Sequence, residues 1–169
     1  MMKAVLCESF GPPENLVIKN VDSLVPESDE VIIEVKASGL NFPDTLIIEG
    51  KYQFQPEMPF SPGGEVAGVA KAVGDKVSHV KVGDRVMAGT GWGGFAEEVR
   101  GMASNVFPIP EGISFVQAAA TMMTFGTSYH ALVNRAELKA GETLMVLGAA
   151  GGVGTAAIQI GKALGAKVI

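Results

Sequence analysis

The sequence predicts a mixed β and α/β protein: a β-rich module followed by the opening strand, helix and strand of a dinucleotide-binding fold. Short strand-forming segments separated by Gly, Pro and Asp clusters dominate the chain up to a capped helix start at Ser114. Residues 142–169 then read ETLMVLGAAGGVGTAAIQIGKALGAKVI, a short apolar run, a glycine-rich turn and apolar residues at helical spacing.

In chain order, residues 3–7, 16–19, 31–37, 65–73, 85–88 and 95–99 are the strand candidates. Val31, Ile33, Val35 and Ala37 alternate, which turns one face of that strand to a core. Regular short strands with turn signals between them imply a small barrel or sandwich. Ser114 and Gln117 have the S-x-x-Q form of a capping box, so a helix starts there and runs through the Ala- and Met-rich stretch to Met123. Gly126 and Thr127 interrupt it, and a second helix follows over about residues 128–136. The change of texture divides the chain into residues 1–125 and 126–169.

The run 144–147 is too short for a helix and suits a parallel strand covered on both faces. Val153, Ala156, Ala157, Ile160 and Leu164 then recur at helical spacing, and Gly165 stands where a helix C-terminus favours glycine. A switch from strand to helix period across a glycine cluster is what a pyrophosphate site needs: small residues admit the phosphate, and the helix N-terminus presents unpaired N–H groups. Ala150, Gly151, Gly152, Val153 and Gly154 are therefore the candidate cofactor-binding loop. The match to G-x-G-x-x-G places Ala149 at the first glycine position. Residues 143–161 carry no charge, but their glycines and short apolar run argue against a membrane span. The residue that reads the cofactor ribose falls about 20 positions after such a loop, past Ile169, so the residues present do not separate NAD from NADP.

With 47% hydrophobic and 18% charged residues, the 169-residue chain is apolar enough to fold, which excludes a disordered class. A net charge of −5 disfavours a nucleic-acid partner. Cys7 is the only cysteine, so neither an intramolecular disulfide nor a multi-cysteine zinc site can form. MMKAVLCESF lacks the pattern of a signal peptide, and together these features favour a cytoplasmic setting without a membrane partner.

The order of a β-rich module, AAATMMTFGTSYHAL and VLGAAGGVG resembles the medium-chain dehydrogenase/reductase superfamily. Within it, GLNFPDTLIIEGKYQFQPEMPFSPGGEVAG (39–68), GWGGFAEEV (91–99) and AAGGVG (149–154) are similar to the quinone oxidoreductase, or zeta-crystallin-like, branch. The resemblance implies a GroES-like catalytic module followed by a Rossmann domain, with the active site in the cleft between them. Zinc-dependent relatives carry cysteine where this chain has Asn41 and histidine where it has Gly64; since zinc prefers thiolate and imidazole, no metal is expected. The implied activity is zinc-free hydride transfer from NADPH, by resemblance rather than NADH, to a quinone or the β-carbon of a conjugated enone. Such acceptors are already electrophilic, so hydrogen-bond donors near the developing oxyanion suffice. The alternatives are an enoyl- or acryloyl-thioester reductase and, in another class, a non-catalytic crystallin-like or RNA-binding protein.

The same resemblance places Asn41 and Asp44 in the active site, Asn41 also against the cofactor. A loop cap by Asn41 and a helix cap by Asp44, heading residues 45–49, are the structural alternatives. Tyr52 matches a family tyrosine at the substrate cleft, against an ordinary half-buried aromatic. Thr127 matches a threonine near the nicotinamide, against a cap on the helix after Gly126. Leu46 stands where some members have another tyrosine. His130 reads as a packed structural histidine and stays off the catalytic set. Trp92, Phe95, Met122, Met123 and Phe125 read as core. The α/β unit is too short to complete a Rossmann half, so the chain is expected to be a piece of a longer reductase, or to have its open edge covered by another chain. A homodimer formed across the sheet is the family's other route.

Overall fold

The computed structural model describes residues 1–169, which divide into two compact units, Met1–Ala120 and Thr121–Ile169. The first contains β1 (Met2–Leu6), β2 (Val17–Val21), β3 (Glu30–Gly39), α1 (Phe42–Ile48), β4 (Glu65–Val73), β5 (Arg85–Gly89), β6 (Glu98–Met102), β7 (Val106–Pro108) and α2 (Phe115–Ala119). β1 and β2 pair as an antiparallel hairpin, and a five-stranded antiparallel sheet runs in the order β6, β3, β4, β5, β7. Bridges at Ala4 with Ala96 and at Cys7 with Phe60 tie β1 to the chain on either side of β4 and β5.

β3 lies inside the sheet between β6 and β4, and Val31, Ile32 and Ile33 are all fully buried, so its first half is covered on both faces rather than one. The alternation expected to keep Val35 and Ala37 on one face also fails. Between them the register shifts by a β-bulge, after which Val35 packs on the cluster of Val31, Ile33, Val66, Val86 and Val99 while Ala37 packs on that of Ala67, Ile109, Ala118 and Ala119. One extra residue on a strand reverses which face the next side chain takes. Glu65–Val73 forms as expected, but the 95–99 candidate lies three residues later as β6, because residues 91–95 are held in a turn by bonds from Gly93 N to Ser61 O and from Phe95 N to Pro62 O. β7, three residues ending at a proline, has no counterpart among the candidates.

Ser114 caps α2 as its S-x-x-Q form requires, with Gln117 N donating to Ser114 Oγ at 3.2 Å and Ser114 N donating to Gln117 Oε1 at 2.9 Å. The helix ends at Ala119 rather than Met123.

In the second unit, Met122–Gly126, α3 (Thr127–Tyr129) and His130–Arg135 are consecutive helical segments, the first and last wound as π-helix. The expected break is absent: Gly126 (φ −59°) and Thr127 (φ −61°) are both helical, since an internal glycine costs a helix only about 1 kcal/mol and packing overrides it. The sequence boundary at 125/126 thus falls within continuous helix. β8 (Thr143–Leu144), α4 (Gly152–Ala163) and β9 (Lys167–Val168) complete a parallel β-α-β unit. The strand expected over residues 144–147 forms only at Thr143–Leu144, and Met145 and Leu147, beyond its end, are exposed rather than covered. No helix is long and apolar enough to cross a membrane.

Candidate active site

The polar centre of the first unit is built where β3 turns into α1. Asn41 is the N-cap of α1 with extended φ and ψ, and Pro43 occupies the first turn, where its missing N–H costs nothing. Asp44, three residues on, is buried, and its Oδ2 accepts from Asn41 N at 2.7 Å. The two form a capping box, so Asn41 rather than Asp44 heads the helix, and the helix begins at Phe42 rather than Thr45. Asp44 reaches further: its Oδ1 accepts from Gly64 N at 3.1 Å, joining α1 to the PGGEVAG loop. Burial pushes the Asp44 carboxyl above the ordinary aspartate range, and N–H bonds from Asn41, Gly63 and Gly64 only partly oppose it.

Gly64 O in turn accepts from Thr90 N at 2.9 Å and Gly91 N at 3.1 Å, so the loop after β5 meets the same point. Gly63 has φ +98°, and a Cβ there would lie 2.6 Å from Phe95 Cδ1. Phe95 is half-buried as a packing residue, whereas Trp92 is 46% exposed and not core as expected.

Sequence reasoning missed Glu65. It is 2% exposed at the start of β4, and its Oε1 accepts from Asn41 Nδ2 at 2.9 Å. The available signal was an acidic residue inside the apolar, glycine-flanked run GGEVAG. Tyr52 lies apart from this network: its half-buried ring packs on Cys7, Ile47, Ile48 and Phe60 and meets Phe54 edge-on, with centroids 6.3 Å apart.

The second unit holds the glycine loop. Gly148 has φ +70°, and Gly151 N donates back to its carbonyl at 3.1 Å before the chain enters α4. Gly151 is the N-cap, and no side chain caps the helix. The first-turn N–H groups thus lack intrahelical partners and face an exposed loop, since Ala149, Ala150, Gly151, Gly152 and Val153 are all exposed. Gly154 is buried because the loop folds onto it: a Cβ there would lie 2.3 Å from Gly148 O and 2.9 Å from Ala149 Cα. This is a cradle that side chains would fill, of the kind a pyrophosphate needs. Gly165, at φ +79°, ends α4 in a Schellman turn, with Ala166 N donating to Gly161 O and Gly165 N to Lys162 O.

Thr127 is exposed on α3 and lies within helix, not at a cap. Its neighbour Ser128 is buried and donates from Oγ to Val153 O at 2.9 Å, which fastens α3 to the first turn of α4. His130 is exposed rather than packed, because the buried side of this helix is the one that carries Ser128. Met122, Met123 and Phe125 are half-buried.

The family model "Alcohol dehydrogenase GroES-like domain" matches residues 27–111, and the chain belongs to that family. The human quinone oxidoreductase is 42% identical over 171 residues, which cover 100% of this chain and 52% of the relative. A probable oxidoreductase from Mycobacterium abscessus has a TM-score of 0.92 at 46% identity, over 99% of this chain and 54% of that one. The quinone oxidoreductase from Thermus thermophilus, solved also in complex with NADPH, has a TM-score of 0.85 at 37% identity, over 99% of this chain and 52% of that one. These relatives place the chain on the quinone oxidoreductase branch of the medium-chain dehydrogenases/reductases. It spans about half the length of the curated relatives it matches.

Proposed function

We propose that the protein carrying this chain transfers hydride from NADPH to quinones or α,β-unsaturated carbonyls without zinc. In this reading residues 1–125 form the catalytic module and residues 126–169 open the nucleotide-binding domain. The observation that carries it is the donor set at Asn41 and Gly64. Asn41 commits its Nδ2 as a donor to Glu65, and Gly64 has only a backbone to offer, used as a donor to Asp44 and an acceptor from Thr90. Such a site presents hydrogen bonds in place of the thiolate and imidazole that hold zinc. Binding of NADP(H) is supported by the exposed, uncapped glycine loop and by the NADPH complex of the Thermus thermophilus relative.

The residues then divide the work. Ala150, Gly151, Gly152, Val153 and Gly154 hold the pyrophosphate through backbone N–H groups, and the glycines let it approach. Thr127, fixed by the adjacent Ser128 anchor, bonds the carboxamide or a ribose oxygen. When bound, NADPH supplies the hydride, and the protein's task is alignment and charge stabilisation. Asn41 has a second Nδ2 N–H with which to meet the cofactor or the developing oxyanion. Asp44 holds Asn41 and Gly64 in place, and Tyr52 supplies a phenolic donor on the substrate side.

The test is titration with NADPH and NADH followed by NADPH oxidation with a quinone and an enone. Tighter binding of NADPH, with turnover of one or both acceptors, is expected. Binding without turnover, or binding of RNA alone, overturns the reading, and turnover confined to an enoyl thioester moves the substrate to the thioester class.

A further inference from the structure

Glu65 occupies a place prepared for it. Its neighbours on both sides of the sheet are glycines, Gly39 on β3 and Gly89 on β5. A Cβ at Gly39 would lie 2.4 Å from Glu65 Oε1, 2.6 Å from its Cγ and 2.7 Å from Ala119 O, so the absent side chain at 39 is the space that Glu65 fills. Ser38 Oγ donates to Glu65 O at 3.1 Å and fixes the backbone. The side chain is 2% exposed and spends one oxygen on Asn41 Nδ2.

An asparagine amide has two ends of nearly equal shape and opposite hydrogen-bonding sense. A carboxyl oxygen facing it selects the Nδ2 end, and reversal would set Oδ1 against Oε1 in a buried place. Nδ2 has two N–H bonds, and one goes to Glu65. We propose that Glu65 is the positioning residue of the active site: it locks the Asn41 amide so that Asn41 meets its ligand as a hydrogen-bond donor. This rests on the reading of Asn41 as a member of the hydride-transfer site. Glutamine at position 65 accepts through its own oxygen but also donates when turned over, so it relaxes the lock; leucine removes it.

The experiment is a double-mutant cycle in the full-length protein, with E65Q and E65L each made in the wild-type and N41A backgrounds. Turnover of NADPH with a quinone, and the 1H–15N signals of the Asn41 side-chain amide, are the readouts. E65L is expected to lower kcat about 10-fold and E65Q by less, and neither substitution is expected to lower it further once Asn41 is alanine. The Asn41 amide signals, assigned by their loss in N41A, are expected to shift in E65Q. Losses that multiply in the double variants, or unshifted amide signals in E65Q, would overturn the proposal, because a merely structural Glu65 acts regardless of residue 41. If E65L does not fold, E65Q in the two backgrounds decides alone. Full turnover by N41A itself would instead remove Asn41 from the site, a failure of the functional reading that is distinct from a failure of the cycle.

Discussion

Gly154→Ala and Gly151→Ala separate what the glycine loop does for folding from what it does for the cofactor. The two glycines are three residues apart on the same loop but meet different surroundings. A Cβ at Gly154 would lie 2.3 Å from Gly148 O, 2.9 Å from Ala149 Cα and 3.0 Å from Gly148 C, all backbone atoms. Ordinary contact begins at 3.4 Å, so the loop must retreat by about 1 Å, a displacement that overpacked sites take at about 1–3 kcal/mol. The retreat also strains the bonds from Gly151 N to Gly148 O at 3.1 Å and from Thr155 Oγ1 to Ala149 O at 3.3 Å. At Gly151, by contrast, a Cβ would meet only Gly148 O at 3.5 Å, which is ordinary contact, and would otherwise project from an exposed position. G154A is therefore expected to lose about 1–3 kcal/mol in urea denaturation together with NADPH affinity. G151A changes only the N-cap and is expected to cost no more than about 1 kcal/mol while its NADPH Kd rises about 10-fold, because in the proposed function the methyl group stands where the phosphate approaches. Fluorescence titration gives the affinities. Unchanged stability in G154A, or wild-type NADPH affinity in G151A, would refute the reasoning.

Further outcomes follow from the first unit. Ser114→Ala removes the side-chain acceptor for Gln117 N and is expected to cost about 1 kcal/mol in thermal or urea denaturation. Burial raises the Glu98 carboxyl, but hydrogen bonds from Lys71, Leu24 N and Ser23, with the Lys71 charge, outweigh it and leave the group below 4.5. A carboxyl depressed by folding contributes stability above its unfolded value and loses it as the pH falls through the folded one; acid titration of wild type against Lys71→Met is expected to show that extra loss in wild type alone. Asp44 has the opposite sign: with its folded value above 3.8, its contribution is full below that pH and declines as the pH rises through the folded value. Stability curves of Asp44→Asn are expected to lack that decline.

Much of this molecule is legible in local sequence because the signals are themselves local. Ser114 and Gln117 are three residues apart and bond to each other, and the loop from Gly148 to Gly154 closes on itself, so their chemistry survives reading one segment at a time. The features that were missed depend on partners distant in the chain. Glu65 finds Asn41 across 24 residues, and nothing in GGEVAG announces an amide there. The bulge that sends Val35 and Ala37 to different clusters exists only because β4 lies beside β3. Gly126 reads as a break because its intrinsic helix cost is a property of the residue alone, whereas the helix that crosses it is set by packing. Among the candidate residues, Asn41 and Asp44 bond to each other, Tyr52 packs in a separate cluster, and the cap belongs to Asn41.

The claim on which the functional reading stands is direct hydride transfer, and isotope tracing addresses it most plainly. The metal-stripped full-length protein, kept in chelator, is incubated with NADPH carrying deuterium at the transferred C4 position and with a conjugated enone, and the product is examined by mass spectrometry and NMR. One deuterium on the β-carbon, formed at a rate the chelator leaves unchanged, is the expected result. Deuterium retained on the nicotinamide, or product formed only after zinc is restored, would contradict it.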